Sequence, residues 1–161
     1  MGNRSGPSYF YGIEFWDLNS GKRINRVLGL GPVSSISFSH DSKYVAIGDL
    51  RGKVMVWELS SGENIRVFWE EVPVFSISFS PDGKYIASGG MDSTINLWEV
   101  NGRREIKTFK GHNGKVYSVS FSPSGKYIVS GGSDNEIKLW DIVNDKEIMT
   151  LRGHTKIVKG S

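Results

Sequence analysis

Apolar residues alternate with small or polar ones in Val74-Phe75-Ser76-Ile77-Ser78-Phe79, Tyr85-Ile86-Ala87-Ser88 and Ile95-Asn96-Leu97-Trp98. A period of two places successive side chains on opposite faces, so each segment predicts a short β-strand. The breaks between segments carry turn chemistry. Pro81-Asp82-Gly83 combines a preset φ with a glycine that tolerates positive φ, and Arg51-Gly52 and Asp134-Asn135 fall at tight hairpin positions. No segment shows the 3.6-residue period of an amphipathic helix. Four strands per unit follow, written a to d; in the last unit they are Val116–Phe121, Tyr127–Ser130, Glu136–Asp141 and Glu147–Leu151.

The units recur. Trp16, Trp57, Trp98 and Trp140 stand 41, 41 and 42 residues apart, and each precedes an acid, Asp17, Glu58, Glu99 and Asp141. Phe38-Ser39-His40-Asp41-Ser42-Lys43-Tyr44, Phe79-Ser80-Pro81-Asp82-Gly83-Lys84-Tyr85 and Phe121-Ser122-Pro123-Ser124-Gly125-Lys126-Tyr127 keep the same register. A period of about 40 residues marks a repeat architecture in which each unit buries its apolar face against its neighbours.

These motifs resemble the WD-repeat family of β-propellers, whose units carry Gly-His near the start, Ser-Pro-Asp-Gly-Lys between strands a and b, and Trp-Asp at the end of strand c. Gly111-His112 through Trp140-Asp141 matches that pattern almost position for position, and the resemblance spans about residues 9 to 159. It implies an all-β fold of about three and a half four-stranded antiparallel blades, a ring incomplete in one chain. In the family's phase, residues 1–8 form a disordered N-terminus and 9–31 a half blade of strands c and d. Residues 32–72, 73–113 and 114–153 are full blades, and 154–161 begin a further strand a. Such a segment leaves sheet faces that neighbouring blades would cover. Either further blades in a longer chain cover them, or a second copy closes a ring of seven.

Composition narrows the setting. With 161 residues and 38% hydrophobic content the chain suffices for one sizeable core, and no run of 18 apolar residues suggests a membrane span. The N-terminal residues lack the apolar stretch of a signal peptide. No cysteine is present, which excludes disulfides and thiolate metal sites and suits a reducing, cytoplasmic setting. Asn3-Arg4-Ser5 fits a glycosylation pattern that matters only in a secreted protein. The net charge of +3 raises the question of nucleic acid, but the basic residues recur at turns, as Lys43, Lys84 and Lys126 do, which reads as solvated turn chemistry.

His112, Ser130 and Asp134 have the residue types of a nucleophilic triad. The family resemblance implies instead a buried hydrogen-bonded chain of His112, Ser130, Asp134 and Trp140. The second blade keeps Ser88, Asp92 and Trp98 for such a network, with Glu70-Glu71 where Gly-His would stand. The first has Leu30, Ile47 and Arg51 at the polar positions, so its network is expected to be absent. Units that lose these residues one by one treat them as stabilisers. His40, His112 and His154 lie in separate units without metal-ligand spacing, so no metal or other cofactor is expected. Ser88-Gly89-Gly90 and Ser130-Gly131-Gly132 have no helix behind them to offer a phosphate its N-terminus, and their glycines read as turn residues.

Function is then expected in loops held on a rigid body. The resemblance implies a non-enzymatic scaffold that holds a protein or peptide against the face carrying the d-to-a and b-to-c loops. It leaves as alternatives the propeller portion of a larger enzyme or signalling protein, and a nucleic-acid-binding propeller. The positions mapping to the loop face are Pro32, Ser34 and Leu50, then Pro73, Phe75 and Met91, then Lys115, Tyr117 and Ser133. Phe75, Met91 and Tyr117 are interface-anchor residue types that also suit packing between blades. Trp69, beside two acids, reads equally as a contact or as a cap on the outer strand.

Overall fold

The computed structural model describes residues 11–102 and 105–153, and all fourteen elements among them are strands. The expected N-terminal disorder, the glycosylation pattern at Asn3 and the final strand from residue 154 lie outside the described residues. Strands β1 (Tyr11–Trp16) and β2 (Arg23–Leu30) pair as a two-stranded sheet. Blade 1 contains β3 (Val33–Phe38), β4 (Tyr44–Asp49), β5 (Lys53–Glu58) and β6 (Asn64–Trp69). Blade 2 contains β7 (Val74–Phe79), β8 (Tyr85–Gly90), β9 (Thr94–Glu99) and β10 (Glu105–Lys110). Blade 3 contains β11 (Val116–Phe121), β12 (Tyr127–Gly132), β13 (Ile137–Asp141) and β14 (Lys146–Leu151). Within each blade the strands pair antiparallel in chain order, and the sheets do not close into a ring.

Alternating residues aim the apolar sets at the neighbouring sheets. Val54, Val56 and Phe68 of blade 1 pack with Val74, Ile77, Ile86 and Trp98 of blade 2. Ala87, Ile95 and Leu97 of blade 2 pack with Val116, Val119, Ile128 and Trp140 of blade 3. Phe15 and Val27 of the first sheet pack with Val45, Ile47 and Met55. Each fully buried valine, leucine or isoleucine contributes about 1.5–3 kcal/mol, so the seams between blades carry much of the stability.

A ladder of serines ties the inner strands together. Ile77 and Phe79 N–H donate to Ser35 and Ser37 Oγ at 3.0 and 3.1 Å, and Val119 and Phe121 N–H donate to Ser76 and Ser78 Oγ at 3.1 and 3.2 Å. Backbone amides on the inner edges of β7 and β11 are thus satisfied by hydroxyls of the inner strand before them.

The glycines after Ser88 and Ser130 are strand residues, contrary to the turn reading. A Cβ on Gly89 would lie 2.6 Å from Val116 Cγ1, so the position must be small for blade 3 to dock. The left-handed turn positions between strands b and c are Gly52, Ser93 and Asn135, at φ of 84°, 69° and 63°.

Candidate functional site

Three loops, each leading into an inner strand, set the polar centres of the blades. In blade 3 the loop after Lys110 brings His112 behind strand β12. Its Nδ1 lies 2.7 Å from Asp134 Oδ2 and its Nε2 2.7 Å from Ser130 Oγ, and Trp140 Nε1 donates to Ser130 Oγ at 2.8 Å. The indole can only donate, so proton order runs Trp140 to Ser130 to His112 to Asp134, with the imidazole proton on Nδ1. Asn113 and Glu136 N–H also donate to the Asp134 carboxylate. Burial pushes the Asp134 pKa up, but the bonds from His112 and the two amides outweigh it and hold it below its ordinary value. The Ser130 hydroxyl is buried and engaged on both sides, so the arrangement is a strut and not a nucleophile.

Blade 2 departs from its expected network. Trp98 Nε1 donates to Ser88 Oγ at 2.8 Å as expected, but Ser88 then donates to Glu70 Oε1. Glu70 therefore occupies the histidine position and is only 9% exposed. Asp92 stays outside: it is exposed and, among the described residues, accepts from Thr94 alone, through N–H and Oγ1. Two carboxylates cannot bridge as imidazole and carboxylate do, because neither carries the needed proton when ionised. Burial pushes the Glu70 pKa up to about 7, with Asp92 and Glu105 adding to the rise against the lowering influence of the Ser88 hydroxyl and the Asn96 side chain. Glu70 Oε2 is buried without a hydrogen-bond partner among the described residues.

Blade 1 has a polar centre where none was expected. Asp49, at the end of β4 and fully buried, accepts from Gly31, Arg51 and Lys53 N–H at 3.1, 2.9 and 3.0 Å. It ties the incoming loop to the b-to-c turn, as Asp134 does from two positions further along the unit. The signal was an acid ending an otherwise apolar strand.

The candidate contact residues assemble in pairs. Leu50 N–H donates to Pro32 O, Met91 N–H to Pro73 O and Ser133 N–H to Lys115 O, at 2.9, 3.1 and 2.9 Å, so one bond joins the two loops of every blade. Phe75 and Tyr117 pack with ring centroids 5.3 Å apart, both half-buried. With Ser34, Ser76 and Ser118 they line a cavity of about 410 Å³ along the inner strands. Leu50 and Met91 are exposed at the rim. Trp69 is not part of this group. It is exposed under the ammonium of Lys53, 4.8 Å from the ring centroid, and lines a different cavity beside Glu70.

Lys43 and Lys84, at the a-to-b turns, stand 3.7 Å from Asp41 and Asp82. These two turns thus balance their own cations, whereas the turn of Lys126 has Ser124 at the acid's position. Among the described residues no group of three or more His, Asp or Glu is placed to hold a metal ion.

Residues 23–58, 62–99 and 103–141 match the family model described as WD domain, G-beta repeat, over more than half of the chain. No curated protein matches the chain.

Proposed function

This chain belongs to the WD40 repeat family, and we infer from that premise that it serves as a non-enzymatic scaffold holding a protein or peptide against its loop face. WD40 repeats generally mediate protein interactions. The observation that carries the assignment to the loop face is the Phe75–Tyr117 ring pair, half-buried on the inner-strand cavity. Beside it, Met91 extends the apolar surface from a turn bonded to Pro73. Rigid aromatic area and a pliable thioether on a fixed body suit an extended peptide whose side chains enter the cavity.

The test is affinity capture with the wild-type chain beside a Phe75→Ala, Met91→Ala, Tyr117→Ala chain of matched melting temperature. Partner recovery should fall at least several-fold in the variant. Equal recovery refutes the loop-face reading.

The open sides support a second reading, association with another copy. Val129, Leu139 and Met149 stand in register across β12, β13 and β14, the row that in blade 2 begins with the buried Ala87 and Leu97. Val129 and Met149 are exposed, as are Trp16 and Leu28 on the first sheet. Light scattering should give twice 17.9 kDa; a folded monomer at all concentrations removes the second copy.

A further inference from the structure

The same place on the three blades is filled in three ways. On blade 3, Lys138 is 4% exposed and its Nζ lies 3.0 Å from Glu136 Oε2, 3.1 Å from Glu147 Oε2 and 2.8 Å from Thr150 Oγ1. An ammonium has three protons, and these three oxygens take them. On blade 1 the corresponding residue is Met55, buried and apolar. On blade 2 it is Asn96, opposite Thr108 on β10 as Lys138 is opposite Thr150 on β14.

Blade 2 keeps two of the three acceptors without the cation, with Thr94 at the position of Glu136. Glu105 and Thr108 repeat Glu147 and Thr150 in register, and Thr108 Oγ1 donates to Glu105 Oε1 just as Thr150 Oγ1 donates to Glu147 Oε1. Where Lys138 extends in blade 3, a cavity of about 400 Å³ opens, lined by Glu70, Glu71, Asp92, Glu105, Trp69 and Trp98 among others. Glu70, nine-tenths buried, borders it with an unpartnered Oε2. None of these four carboxylates is ion-paired among the described residues, although Lys110 stands at the edge.

We propose that this cavity is a lysine-accepting site, which takes the ammonium of a lysine side chain from a partner polypeptide in the place Lys138 fills on blade 3. Glu105 and Thr108 receive the ammonium, and the Trp69 and Trp98 rings flank the aliphatic stem. Arginine suits the site less well, because its planar fork does not match a pocket shaped for a compact three-proton head. Glu70, Glu71, Asp92 and Glu105 face the site with Lys110, and Lys53 lies behind Trp69. A cation beside Glu70 favours its ionised form, so binding expels a proton and tightens as pH rises from 6 to 8. The source of the lysine rests on the interaction-module reading; the site itself does not.

The probe is the blocked peptide acetyl-Gly-Lys-Gly-amide, titrated into the whole chain at pH 8 while the Trp98 Nε1–H resonance is followed. A saturable shift at millimolar peptide is expected, about tenfold weaker for the Nε-acetyllysine peptide and weaker again at pH 6. Asn96→Lys should fill the site from within, raise the melting temperature and abolish the response. Should that variant not fold, Glu105→Gln should weaken the response by a similar factor. The Phe75→Ala, Met91→Ala, Tyr117→Ala chain should respond like wild type, so failure of the loop-face reading is seen separately. An equal response to the acetylated peptide, no saturable response, or persistence in a folded Asn96→Lys chain overturns the proposal.

Discussion

Blades 2 and 3 share strand order, register and the Trp–Ser bond, yet their polar centres are built on different electrostatics. In blade 3 an imidazole stands between a hydroxyl and a carboxylate, and both ring nitrogens and the indole N–H are hydrogen-bonded. In blade 2 a carboxylic acid takes the imidazole's place, which leaves one buried oxygen without a partner and pushes Asp92 out to solvent. The strut from tryptophan to serine survives the exchange because serine needs only some acceptor beyond it. What changes is its response to pH, since burial raises the pKa of Glu70 where the imidazole of His112 stands in blade 3.

The strongest way to break the comparison is to remove the acid of each turn. Asp134→Ala leaves His112 Nδ1 and the Asn113 and Glu136 amides without their acceptor, so it should cost about 3 kcal/mol in urea unfolding. Asp92→Ala, at an exposed site bonded to Thr94 alone among the described residues, should stay within about 0.5 kcal/mol. Equal effects would mean that the two centres work alike.

Next is Glu70→Gln. The folded chain holds the Glu70 proton up to about 7, whereas the unfolded chain releases it near 4.5. The folded state therefore binds more proton between those values, and this group makes stability fall as pH rises across that window and stay lower above it. Glutamine removes the penalty. The variant should be more stable than wild type by about 2 kcal/mol at pH 8 and about equal to it at pH 4.5, read as melting temperature across pH. A constant difference across that range would show that Glu70 does not titrate there.

The smallest effect separates the inner strands. Ser76→Ala removes the acceptor for Val119 N–H and should cost about 1 kcal/mol, while Ser118→Ala, whose hydroxyl has no bond among the described residues, should cost little. Parity between the two would remove the serine ladder as a seam.

Much of this was legible in the sequence, because period and alternation fix strands and their faces. His112, Ser130, Asp134 and Trp140 could be read as one network because the family pattern places them in phase. Glu70 could not, since a loop glutamate reads as solvated until the fold carries it behind Ser88. Asp49 escaped for a related reason: it does from the strand end what Asp134 does from the turn, two positions away in the unit. Gly89 and Gly132 read as turn residues because glycine's freedom is the commoner signal, whereas here its lack of volume is what counts. Asn96 drew no notice alone; only the bonded Lys138 on the next blade shows what its position can hold.

The serine ladder gives the array a direction. Hydroxyls of each inner strand always receive the amides of the next, from β3 to β7 to β11, so the two ends of the arc are chemically unlike, one offering amides and the other hydroxyls. A gene segment copied in tandem would arrive with both halves of that bond already encoded. Such an array lengthens in whole blades without inventing a new joint.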